Sequence, residues 1–143
     1  IDESQVEVRR YGMRCVAIMP PRHALTSRRV LTPQLLAEYP MVMPARSHQV
    51  PNRIHGVFSA AGVQLNGVVE AEFFATLCGL VAAGTGWSIV DPLSAQSFTH
   101  LGLVARPFEP AITYEIGAFW RRDREPSVLA TAFLDMLDDK LNR

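Results

Sequence analysis

Phe74-Ala75-Thr76-Leu77-Cys78-Gly79-Leu80-Val81-Ala82-Ala83-Gly84-Thr85-Gly86-Trp87-Ser88-Ile89-Val90-Asp91-Pro92 is the stretch whose reading decides the fold class. Phe74, Leu77, Cys78, Leu80 and Val81 recur at helical spacing, and Gly84 terminates that helix. Trp87-Ser88-Ile89-Val90 is then a short apolar strand, cut by Asp91-Pro92 because proline supplies no ladder donor. Gly84-Thr85-Gly86 has the look of a nucleotide-binding glycine turn, but that motif follows a strand and opens a helix. Here the order is reversed, so the glycines read as a helix C-cap and a tight turn.

Working outward, the same alternation continues. Upstream, Gly67-Val68-Val69-Glu70-Ala71 is a strand. Before it Val50, Ile54, Val57, Phe58 and Ala61 mark a helix, with Ser47 as its cap, Pro51 in its first turn and Gly62 just past its end. Met41-Val42-Met43 is a buried strand ended by Pro44. Thr32-Pro33 opens a short helix that carries Leu35-Leu36 and stops before Pro40. Val6-Glu7-Val8 and Arg14 to Met19 read as two strands around a turn at Gly12, the second closed by Pro20-Pro21. Downstream come a short helix around Leu93 to Phe98, a strand at Leu103-Val104-Ala105 and a strand from Tyr114 to Trp120. A closing helix follows, with Leu129, Ala132, Phe133, Met136, Leu137 and Leu141 as its apolar face. Strands alternating with helices imply an α/β fold with a largely parallel sheet.

The composition is that of one globular domain of ordinary size, 48% apolar and 20% charged over 143 residues. Basic and acidic residues balance at 14 each, which argues against this segment gripping nucleic acid, since that needs a basic face. The short clusters Arg9/Arg10, Arg28/Arg29 and Arg121/Arg122/Arg124 read as solvated loop or strand-end charge. Cys15 and Cys78 each lie in an apolar run with no second Cys or His at metal-ligand spacing, so both read as small buried hydrophobes. No apolar stretch reaches membrane-span length and no signal peptide opens the chain, which points to a cytoplasmic parent. Ile1 in place of an initiator Met reads as a fragment boundary.

Catalytic signatures are absent: there is no Gly-x-Ser-x-Gly elbow and no His-Glu-x-x-His. His23, His48, His55 and His100 fall in loops or on a polar helix face, and surface placement is expected for each. The reading is a protein that is not an enzyme and needs no cofactor or metal. What remains is positional. In open α/β sheets, ligands bind outside the carboxyl ends of strands, beside helix N-termini whose free N–H groups attract anions. Three exits fit: Pro44-Ala45-Arg46-Ser47, Glu70-Ala71-Glu72-Phe73-Phe74, and Asp91-Pro92-Leu93. Each reads equally well as an ordinary connecting loop.

Cys15 to Leu25, with Leu31-Thr32-Pro33-Gln34-Leu35-Leu36, resembles the middle of the effector domain of LysR-type transcriptional regulators. Val69-Glu70-Ala71 and Gly79 to Pro92 resemble that family's most recognisable run, and the similarity continues through Val104 to Phe108 and the last strand and helix. It covers nearly the whole chain in order. Ile89 to Ala95 most resembles the branch that senses opines, lysine precursors or other amino-acid derivatives.

The resemblance implies a periplasmic-binding-protein-like (type 2) fold of two lobes with a small effector in the interlobe cleft. Residues 25–105 would form a complete second lobe, while 1–24 and 106–143 would form part of the first. It implies that DNA is contacted only through a helix-turn-helix domain absent from this chain. The incomplete first lobe would expose strand edges and apolar faces near Val6, Cys15 and Ile116, so a homo-oligomer is expected. Arg46, Ser47, Phe73, Phe74, Asp91 and Pro92 would line the effector site, with Arg46 pairing a carboxylate and Ser47 lending a hydroxyl. Phe73 and Phe74 stand where the family often carries small hydroxyl residues, which implies a narrower cleft or a less polar effector. The alternative is a transporter's solute-binding protein, which shares the fold but requires secretion.

Overall fold

The computed structural model describes residues 4–45 and 49–141. The chain divides into two compact units, Ile1–Met13 with Tyr114–Arg143, and Arg14–Thr113.

The larger unit is built on five strands: β2 (Val16–Met19), β3 (Met41–Pro44), β4 (Gly67–Ala71), β5 (Ser88–Val90) and β6 (Val104–Pro107). β4 pairs parallel with β3. β3 continues onto the start of β5 through the parallel Met41–Trp87 bridge, in which Trp87 N–H donates to Pro40 and Val42 N–H donates to Trp87. β2 lies between β5 and β6 and is antiparallel to both. The sheet is therefore mixed rather than largely parallel. Hydrophobic alternation reports which stretches are strands but not which way they run, and β2 is entered straight from the preceding strand, with no crossover helix to return the chain.

Helices α1 (Pro33–Leu36), α2 (Val50–Ala60), α3 (Phe74–Ala82) and α4 (Pro92–Ser97) connect these strands. Both longer ones end as the sequence implies. Gly84, at φ +87°, donates to Val81 while Thr85 donates to Leu80, a Schellman cap. Gly62, at φ +70°, closes α2 by the same pair of bonds. Ile18, Val42 and Val90 are buried with Leu77, Cys78 and Val81 of α3 in one apolar cluster. Elsewhere in the core of this unit, Phe58 stacks between Trp87 and Phe108, with ring centroids 5.9 and 6.2 Å away. The Trp87 indole N–H donates to the carbonyls of Leu36 and Tyr39, each at 3.1 Å, which fastens α1 to the sheet. His23 is not a free surface histidine: it is half-buried, its Nδ1 accepts from Leu25 N–H at 3.2 Å, and burial lowers its pKa. His55 and His100 are exposed, and His48 lies outside the described residues.

The smaller unit is built from all but the last residue of β1 (Val6–Arg14), all but the first of β7 (Thr113–Arg121), and α5 (Val128–Leu141). Gln5 meets Arg122 and Arg10 meets Glu115, so the two strands run antiparallel. The expected turn at Gly12 does not occur. β1 runs through it, because Gly12 has no turn-forming neighbour and its φ is not in the left-handed region. The expected apolar face of α5 is also corrected: Leu134, not among the residues assigned to it, is the one buried, whereas Leu129, Phe133 and Met136 are exposed. α5 is apolar on most of its circumference, and two strands can cover only a stripe of it. Asp138 ties the helix down, accepting from Arg9 at 2.6 Å and from the Tyr11 hydroxyl at 2.7 Å.

Candidate functional site

The three strand exits singled out in the sequence do converge. Pro44 is level with Ala71 in the parallel ladder, and the Met41–Trp87 bridge brings the ends of β3 and β5 to the same edge. Ala45 N–H extends the ladder by donating to Ala71 at 3.0 Å. Each exit feeds a helix, so the starts of α2, α3 and α4 gather at one end of the larger unit. Neither Gln49, before α2, nor Phe73, before α3, caps its helix with its own side chain. The first turn of a helix is where backbone N–H groups can attract anions.

α4 differs. Asp91 is buried, with Oδ1 accepting from Ser94 N–H at 2.9 Å and Oδ2 from the Ser94 hydroxyl at 2.6 Å. Both oxygens are thereby engaged within the first turn, and Pro92 occupies the first helical position, half-buried. Of the two phenylalanines, Phe73 is 71% exposed, whereas Phe74 packs partly against the core cluster. Phe73 thus has the ring available to a ligand. Arg46 and Ser47, including the expected Ser47 cap, lie outside the described residues.

Sequence reading missed Arg53. It sits at the end of the first turn of α2, and one of its nitrogens, Nη1, donates to the Thr113 carbonyl at 2.5 Å and the Thr113 hydroxyl at 2.8 Å. The available signal was a cation near a helix N-terminus, where the dipole disfavours it, in a turn that has no acidic residue. Nearby, Cys15 N–H donates to Ile112 at 2.7 Å, and the antiparallel Val16–Val90 pairing sets Cys15 opposite Asp91. Burial pushes the Cys15 thiol up to about 11, with the Asp91 carboxylate adding to the shift and the Arg53 guanidinium opposing it. Burial also raises Cys78 to about 11, again with help from Asp91. Among the described residues, no three His, Cys, Asp or Glu side chains come together to hold a metal, and no helix is long and apolar enough to cross a membrane.

A mixed sheet with helix starts gathered at its strand ends is an open α/β arrangement, in which ligands, where present, sit at the strand ends. The chain belongs to the LysR substrate binding domain family, whose model matches residues 2–142. It is 30% identical to the transcriptional activator protein LysR of Escherichia coli strain K12, over 82% of this chain and 38% of that protein. The chain thus spans about two-fifths of the curated relatives it matches. Among solved structures, it superposes on the effector binding domain of QuiR in complex with shikimate with a TM-score of 0.71 at 20% identity, covering 99% of this chain and 68% of that one. The Synechocystis PCC6803 CcmR regulatory domain in complex with 2-PG gives 0.75 at 16% identity, covering 99% and 69%. The fold is the periplasmic-binding-protein-like type 2 fold of LysR effector domains.

Proposed function

We propose that this chain is the sensing part of a cytoplasmic, DNA-binding transcriptional regulator, and that it binds a small anionic or amino-acid-like effector at the gathered strand ends of the larger unit. The observation that carries this reading is the convergence of three strand exits on the starts of α2, α3 and α4, where neither Gln49 nor Phe73 caps its helix with its own side chain. Arg46 and Ser47 supply charge and hydroxyl from the β3 exit. Phe73 and Phe74 offer apolar surface, while Asp91 and Pro92 shape the wall by starting α4. That QuiR and CcmR domains of the same fold were solved with shikimate and with 2-PG supports a small effector.

Operator contact is assigned to a helix-turn-helix elsewhere in the regulator, consistent with the zero formal charge of this chain. Homo-oligomerisation is part of the same proposal, supported by the exposed Phe119, Leu129, Phe133 and Met136 of the smaller unit. Calorimetry on the full-length regulator with its effector tests the site. Arg46→Ala is expected to weaken an anionic effector by about 1.5–3 kcal/mol, the range for a lost charge-assisted hydrogen bond. Unchanged affinity in both Arg46→Ala and Ser47→Ala removes that loop from the site.

A further inference from the structure

The guanidinium of Arg53 is fixed in orientation but only partly used. Both of its bonds to Thr113 come from Nη1. Among the described residues, the parallel N–H pair on Nε and Nη2 has no acceptor, and the side chain is exposed. That edge is one that donates two parallel hydrogen bonds to a carboxylate.

The position is electrostatically unusual. Arg53 adds a full positive charge to the positive end of α2, and no acidic residue in that turn balances it. Asp91, at the same end of the sheet, contributes negative charge to the surroundings but is not a direct partner of Arg53, since its oxygens accept from Ser94. The Thr113 anchor is itself steadied. The adjacent Ile112 carbonyl accepts from Cys15, and Arg14 pairs with Glu109 at 2.5 Å on the same pair of segments. A purely structural cross-link to Thr113 would need only one donor nitrogen, which a neutral side chain could supply. A charged, planar, two-edged group is more than that bond requires.

We propose that Arg53 is the carboxylate anchor of the effector site, with Thr113 as the positioning residue that orients its guanidinium. The inference rests on the effector-site reading above and names the chemical class that site selects: a small molecule with a free carboxylate. Effector binding then draws on the same side chain that grips the segment where the chain passes from the larger unit to the smaller.

The test uses the full-length regulator and a probe panel of α-amino acids, opines and dicarboxylates, each beside its amide, read by calorimetry. At least one carboxylate is expected to bind the wild-type protein at least about tenfold more tightly than its amide, as a charge-assisted pair implies. Arg53→Gln, which keeps a polar amide but neither the charge nor the paired edge, is expected to lose about tenfold or more for the acid and little for the amide. Its melting temperature should match that of wild type. If Arg53→Gln fails to fold, Arg53→Lys takes its place: it retains the charge without the paired edge, and should lose part of the preference for acid over amide. Acid binding and discrimination unchanged in the folded variant would overturn the assignment of Arg53. A loss in Arg46→Ala with none in Arg53→Gln would do so too, transferring the carboxylate to the β3 exit and leaving the effector site standing. If no carboxylate in the panel binds wild type, the anionic-effector reading falls, and this inference with it.

Discussion

Gly86 lies directly against the carbonyl of Pro40, so closely that a Cβ on residue 86 would sit 2.1 Å from that oxygen. The same carbonyl accepts from Trp87 N–H at 3.0 Å, so it cannot retreat without breaking the junction of β3 and β5. Gly86→Ala is therefore expected to destabilise the protein by about 3 kcal/mol or more, in the range of severe overpacking. Gly84→Ala meets open space and only the strain of φ +87°, so about 1–2 kcal/mol is expected. Urea unfolding of the two variants checks the order. A cost at position 84 equal to that at 86 would contradict the close approach.

Asp91 starts α4, and in the proposed site it shapes the wall in that way. Asp91→Ala removes both contacts to Ser94 and should destabilise by about 1–2 kcal/mol, the usual range for a lost N-cap. Asp91→Asn keeps an acceptor for the Ser94 N–H and should stay within about 0.5 kcal/mol of wild type. Because the carboxylate is already committed to Ser94, the Asn variant should also hold effector affinity within about twofold. A large affinity loss in Asp91→Asn without loss of stability would instead show that the effector itself reads this charge.

The two cysteines make an alkaline prediction. Both are buried and raised to about 11, so native thiolate is scarce at pH 8 and Ellman's reagent should label neither until urea opens the fold. In the unfolded chain the thiols ionise near their ordinary value, about 8.5. The native state therefore holds its protons more tightly, and the linked stability is complete below about pH 8.5 and is lost as pH rises toward 11. The urea midpoint should fall over that interval in wild type, and less steeply in Cys15→Ala/Cys78→Ala. Rapid labelling of the native protein at pH 8 would contradict the burial.

The sequence by itself determined the elements and the helix ends, because those rest on local physics. Gly62 and Gly84 close helices as their positions imply, and the strand–helix alternation from Met41 to Pro92 was readable from periodicity and proline placement. It also located the strand exits where helix starts gather. Only the tertiary structure decided direction and coverage. That β2 runs against β5 and β6, that Gly12 passes through a strand, and that α5 buries Leu134 while Phe133 stays exposed depend on which element lies alongside, a partner that no local pattern names. Arg53 was hidden for the same reason. Its role turns on Thr113, 60 residues away in sequence, and hydrogen bonds over that separation exist only once the sheet has brought the two segments together.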